Sequence, residues 1–207
     1  MNNIQIQLEW LEKQKVHYQP VYGHEQQFIR KVRQNRLDSY QTTINNMIAT
    51  MGDVKDKHIL DIGTNLGWYC FKLNEKGAKC TGLDIVPKNI DIASAIVQEY
   101  NLHNIEFNLI DATKWVEDNK HCKIDHVILV NVFHHMLKQN SVRAWNMFNW
   151  LINNTEGIFM TMRTGDICLL DIDIPETILR LSEASHYKMV STPFTREMFY
   201  FYKSKGE

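Results

Sequence analysis

ILDIGTNLGWYCFKLNEKGAKCTGLD, residues 59–84 of a 207-residue chain, decides the fold. Together with His58, its first residues make a short apolar run holding one acid, which suits a buried parallel strand. Gly63 follows; it can adopt backbone angles that other residues resist and has no side chain to block a ligand. Gly67 lets the next helix pack close to the strand. That helix carries Trp68, Phe71 and Leu73 and stops at Gly77. Lys79 to Leu83 forms a second strand, with Asp84 at its carboxyl end. An acid there, about twenty residues after the glycine turn, can accept both hydroxyls of a ribose. These parts suit an adenosine-cofactor pocket; the structural alternative is a tight turn with no ligand. Asn65 stands two residues after Gly63, so the dinucleotide signature G-x-G-x-x-G fails.

What stands instead is D-x-G-x-x-x-G, Asp61 to Gly67. This spacing resembles the first motif of class I S-adenosylmethionine (SAM) methyltransferases. The resemblance implies SAM as cofactor and S-adenosylhomocysteine as product, with Asp61, Gly63, Thr64, Gly67, Asp84 and Ile85 around it. It also implies that Asp61 faces the methionine ammonium group, directly or through water. Thr64-Asn65-Leu66 stands where many relatives carry cysteine or alanine, a tolerable change because backbone groups dominate that contact.

The elements around this unit repeat its rhythm. Strands are expected at 58–62, 79–83, 105–109, 126–130 and 157–162, with helices near 67–76, 87–101, 112–119 and 139–153. Such alternation argues for a parallel sheet covered by helices on both faces, joined by right-handed crossovers. Before it, residues 4–16, 25–36 and 39–51 read as helices. Ile4, Leu8 and Leu11 mark the apolar face of the first, and Ile44, Ile48 and Met51 that of the third. After it, a helix near 175–185 leads to strands at 187–192 and 197–203. Two strands so close together should run antiparallel. The expected architecture is α/β: a three-layer, Rossmann-like, seven-stranded sheet with an antiparallel seventh strand, plus an N-terminal helical lid. Residues 1–53 form the lid and 54–207 the SAM-binding domain, together one compact and complete unit.

Net charge is −1, which excludes a general binder of nucleic acid or anionic membranes. Arg30, Lys31 and Arg33 with Arg36 form a local basic cluster: either a solvated helix face or a site for an anionic substrate. The four cysteines, 70, 80, 122 and 168, show no C-x-x-C spacing and read as reduced packing residues of a cytoplasmic protein. The polar N-terminus, MNNIQIQLEW, fits neither a signal peptide nor a membrane span.

Ligands of open α/β sheets bind outside the carboxyl ends of the strands. After the third expected strand come Asp111 and Ala112, suited to receive an adenine amino group; Asp111 is equally a helix N-cap. After the fourth come Asn131, Val132, Phe133, His134 and His135. Either histidine can be a general base or substrate contact, since imidazole titrates near neutral pH. Structural hydrogen bonding is the alternative. A metal is disfavoured, because adjacent residues rarely point at one ion and no third ligand is evident. Methyl transfer is a direct displacement in which positioning does much of the work. A base is needed for a hydroxyl or protonated amine and not for an anionic acceptor.

A closer resemblance spans nearly the whole chain, on short motifs. Tyr18-Gln19, Tyr22-Gly23-His24, Arg36-Leu37-Asp38, the glycine-loop stretch with Lys76-Gly77-Ala78, VFHHM and PFTREMFYF resemble the methyltransferase domain of bacterial O-antigen chain terminators. Those are bifunctional kinase–methyltransferases that cap a polymannose chain. The resemblance implies O-methyl transfer to a saccharide or saccharide-phosphate, with Tyr18, Gln19 and Arg36 closing over cofactor or acceptor. Arg36 is then placed to pair with the methionine carboxylate; capping and packing is the alternative for all three. The family's kinase half and coiled coil are missing from this sequence, so a phosphate acceptor would require a separate kinase or glycan-synthesis partner. A small metabolite or tRNA is the rival acceptor, and a SAM-binding partner subunit without activity is the rival class.

Overall fold

The computed structural model describes residues 3–32, 37–161, 174–193 and 197–204. Three helices come first: α1 (Asn3–Lys13), α2 (Glu25–Phe28) and α3 (Leu37–Met51). Strands and helices then alternate through β1 (His58–Ile62), α4 (Trp68–Asn74), β2 (Lys79–Asp84), α5 (Pro87–Glu99), β3 (Ile105–Leu109), α6 (Ala112–Asp118), β4 (His126–Val130), α7 (Phe133–Asn154) and β5 (Gly157–Thr161). Helix α8 (Ile174–Leu181) and strands β6 (His186–Val190) and β7 (Met198–Tyr202) follow.

The strands form one seven-stranded sheet in the order β3-β2-β1-β4-β5-β7-β6. Pairings from β3 to β5 are parallel, whereas β7 is antiparallel to both β5 and β6. Burial explains the strand sequences. Strands β1 and β4 are almost wholly buried and β5 wholly so, and they read as continuous apolar runs. Edge strands β3 and β6 are largely open and carry polar residues.

Side chains alternate between two cores. Ile59, Cys80, Ile128 and Phe159 face α1, α3, α4 and α5 on one side. Leu60, Leu83, Val127, Leu129, Ile158 and Met160 face α6, α7 and α8 on the other. The expected faces of the first helices hold: Ile4, Leu8 and Leu11 are buried in the first core, and so is Ile44, with Ile48 and Met51 packed against it. Free Cys70 and Cys80 are buried and Cys122 half-buried; Cys168 lies outside the described residues. Among the described residues no helix is long and apolar enough to cross a membrane.

Two helices differ from expectation. The helix expected over 25–36 closes at Phe28, because Lys31 N–H turns back to the Phe28 carbonyl and Val32 forms a parallel bridge with His17. The helix expected over 139–153 begins earlier, at Phe133, and is interrupted by non-helical Asn140. The Asn140 side chain accepts the Arg143 N–H at 3.0 Å and so caps the second part. His134 and His135 therefore stand in a first helical turn rather than in a loop.

Candidate active site

Strands β1 and β4 are parallel neighbours, and the helices after them pack on opposite faces of the sheet. This is the topological switch point at which open α/β sheets hold ligands. A cavity of about 700 Å³ opens there, reached by the ends of β1 to β5 and by the segment between α1 and α2.

The turn after β1 is held by its backbone. Gly63 and Thr64 N–H donate to the Leu83 carbonyl at 2.8 and 2.9 Å. Gly63, Asn65 and Gly67 have φ of 73°, 54° and 80°, all left-handed. Glycine takes that conformation freely and asparagine tolerates it, which is how the turn closes without a middle glycine. At Gly67 a Cβ would stand 2.5 Å from the Phe107 ring, so the site demands glycine twice over.

Asp84 closes β2 and is 9% exposed. Its carboxylate accepts from Asn65 N–H at 2.9 Å, Val86 N–H at 2.9 Å and the Asn89 amide at 3.2 Å. The acid is thus oriented by three donors while still lining the cavity beside Ile85. Asp111 caps α6, accepting from Thr113 and Lys114 N–H at 2.9 and 3.2 Å. Burial alone would raise its pKa, but the Thr113 and Lys114 hydrogen bonds and the Arg143 charge carry it below the ordinary value. Asp111 and Ala112 both line the cavity, so capping and ligand contact are compatible.

Asp61 is buried and, with Thr64 and Gly67, lies outside the cavity lining. The Thr64 hydroxyl donates to Asp61 Oδ2 at 2.7 Å, and the Cys70 thiol approaches the same oxygen at 3.7 Å. Burial pushes the Asp61 carboxyl up to about 7, against the hydrogen bonds from Thr64 and Cys70, and the Asp84 charge adds to the rise.

Beyond β4, Asn131 has φ 60°. Its N–H donates to Thr161 Oγ1 at 2.9 Å, and the Thr161 hydroxyl donates back to Asn131 Oδ1 at 3.0 Å. His134 is buried and His135 exposed; both line the cavity, with ring centroids 4.0 Å apart. On the opposite wall Tyr18 is 65% exposed and Gln19 is buried. Gln19 Oε1 accepts the Trp68 N–H at 3.2 Å, and the Tyr40 hydroxyl donates to the Tyr18 carbonyl. Arg33 and Arg36, with Phe194, Thr195 and Arg196 of PFTREMFYF, lie outside the described residues.

Sequence reasoning missed Tyr69, Asn89 and Thr161, all of which line the cavity. Thr161 was findable as the end of a strand on the active edge. Asn89 lies one turn into the helix after Asp84. Tyr69 is indistinguishable by pattern from its core neighbours Trp68 and Phe71. Its hydroxyl is buried with no hydrogen-bond partner among the described residues.

The glycine turn, the oriented acid and this orphaned hydroxyl fit a ligand with a ribose and further polar groups. Comparison with known proteins identifies the class: residues 59–152 match the family model described as a methyltransferase domain. That match supports a class I SAM-dependent methyltransferase. A methyltransferase domain supports SAM as the cofactor. The methyltransferase is similar to the O-antigen chain terminator bifunctional methyltransferase/kinase WbdD of Escherichia coli, at 25% identity over 127 residues. That match covers 60% of this chain and 18% of the relative. Among solved structures, the bifunctional kinase–methyltransferase WbdD superposes with a TM-score of 0.74 at 19% identity, covering 95% of this chain and 46% of that one. The chain therefore spans less than half the length of these relatives. Magnesium protoporphyrin IX methyltransferase (ChlM) from Synechocystis with bound SAM gives 0.62 at 18% identity over 99% of this chain and 98% of its own. A putative RNA methyltransferase from Pyrococcus horikoshii gives 0.56 at 14% over 100% and 99%. The methyltransferase shares its fold with all three.

Proposed function

We propose that the protein transfers a methyl group from SAM to an oxygen of a saccharide or saccharide-phosphate acceptor. The observation that carries this reading is the His134–His135 pair on the cavity wall beside the switch point. Bound SAM supplies an electrophilic methyl group on a sulfonium. Asp84 receives the ribose hydroxyls, with Ile85 beside it, and Asp111 with Ala112 receives the adenine. Gly63 and Asn131 border the far end, while Asp61, Thr64 and Gly67 hold the turn from beneath. Residues 1–53 serve as a lid, with Tyr18, Gln19 and Arg36 closing over the cofactor; the place of Tyr18 and Gln19 in the cavity lining supports this for those two. An acceptor hydroxyl held in line gains from positioning. One imidazole of the pair takes its proton, as neutral histidine can near pH 7.

Similarity to WbdD supports the saccharide class, and a phosphate acceptor would come from a separate kinase in the cytoplasm. Near-zero net charge weighs against an RNA substrate. The test is incubation with methyl-labelled SAM and separate pools of cell-derived glycans, nucleotide sugars and tRNA. Label in a glycan or sugar pool is the expected result. Label confined to tRNA would replace this reading with the RNA one, and no label in any pool would point to a partner subunit.

A further inference from the structure

We propose that the Tyr69 hydroxyl is a binding group of the cavity, donating a hydrogen bond to the carboxylate at the amino-acid end of the cofactor. The inference rests on the reading of Asp84 as the ribose contact and of Asp111 with Ala112 as the adenine contact.

Tyr69 is the second residue of α4, the helix that follows the glycine turn. It is 1% exposed and belongs to the core on that side of the sheet, yet it lines the cavity. Its neighbours Trp68 and Phe71 are core residues that do not line it. The Tyr69 hydroxyl has no hydrogen-bond partner among the described residues. For packing alone that oxygen is a liability. A buried hydroxyl without a partner gives up its bonds to water and gains none, and phenylalanine would fill the same space without the loss. Buried tyrosine hydroxyls usually find a partner, so an orphan on a residue of the cavity wall points to a ligand that supplies one.

The hydroxyl comes to that ligand as a donor. Burial holds its pKa well above the ordinary value, and Tyr40 and Asp61 add to the rise, so the proton stays on and needs an acceptor. Strand order says which part of the ligand lies there. The sheet runs β3, β2, β1, β4; Asp111 lies beyond the end of β3, Asp84 ends β2 and Gly63 follows β1. A ligand with its adenine at Asp111 and its ribose at Asp84 carries its remaining end on to β1 and the start of α4. That end of SAM holds a sulfonium, an ammonium and a carboxylate. The two cations offer no acceptor, whereas the carboxylate accepts readily and makes the bond charge-assisted.

The test is calorimetric binding to the full chain of two ligands, SAM and decarboxylated SAM, which differ only in that carboxylate. Tyr69→Phe removes only the hydroxyl oxygen. It is expected to weaken SAM binding by about ten- to a hundredfold, the scale of a hydrogen bond to a charged group. Decarboxylated SAM is expected to bind the variant within about twofold of the parent, since the lost bond is absent from that complex. Without ligand, the variant should be at least as stable in urea as the parent, because the hydroxyl gives up no partner. Unchanged SAM affinity, or an equal loss for both ligands, would overturn the proposal. So would a ligand-free variant that is less stable or fails to fold, since it would reveal a partner within the fold. A parent protein that binds neither ligand would instead defeat the adenine and ribose reading on which the inference stands.

Discussion

The side-chain oxygen of Gln19 accepts the backbone N–H of Trp68 at 3.2 Å, so the segment between α1 and α2 caps the helix that follows the glycine turn. Gly67, at the N-cap position, has no side chain to do so. Gln19→Leu is expected to lower stability by about 1 kcal/mol, the scale of a lost cap, and to weaken SAM binding in parallel. Gln19→Glu keeps the acceptor and adds a charge favoured at a helix start but buries that charge, so its stability should fall between those of the parent and the leucine variant. Urea midpoints that rank the three proteins in any other order would remove the capping role.

Asp84 serves two masters, three protein donors and the proposed ribose. Asp84→Ala is expected to weaken SAM binding by about 1–3 kcal/mol, as when a buried hydrogen-bonding group is lost. Calorimetry on the folded variant checks this; unchanged affinity would remove Asp84 from the cofactor site.

Asp61 gives a pH signature. Its carboxyl rises from 3.8 to about 7 in the folded protein, with burial as the main cause. Between those values the folded state binds more protons than the unfolded state, so stability falls as pH rises through the window and is level above it. A shift of about three units corresponds to a contribution on the order of 4 kcal/mol. Asp61→Asn should abolish that slope. The difference in unfolding free energy between variant and parent, followed from pH 4 to pH 8, should grow with pH and then level off. A difference independent of pH would mean that Asp61 folds with an ordinary carboxyl.

Replacing His134 or His135 by glutamine is expected to lower turnover by about 10²- to 10⁴-fold at whichever ring is the base, with cofactor affinity little changed. Turnover and SAM dissociation constants measured on both variants separate the roles. Full activity in each would leave the pair structural.

Most of the sheet was legible because buried parallel strands write themselves as short apolar runs, as in ILDI and HVILV. The glycine turn and Asp84 were legible for a related reason: left-handed backbone and a strand-end acid restrict the residues allowed. The contacts of Asp61 with Thr64 and Cys70 were not, since which side chains close around a strand-end acid depends on the packing of the turn. The start of α7 was missed because its interruption at Asn140 hides a helical turn among residues that also suit a strand-end loop. Tyr69 and Thr161 escaped because a polar atom inside an apolar pattern reads as packing until its partners are known.

Strand β6 joins the sheet only through β7, and β7 is the later of the two in the chain. During synthesis, the hydrogen-bonding edge of β5 must therefore wait for Met198–Tyr202, while every part of the proposed cofactor site has already been made. That waiting edge is Gly157–Thr161, wholly buried in the finished protein and without a charged residue, the kind of strand that pairs with other chains when left open. Chains halted before Met198 are expected to retain the parallel strands yet self-associate, which light scattering of the released products would register. In this sheet, the strand made after the other six is the one that ends the danger of aggregation.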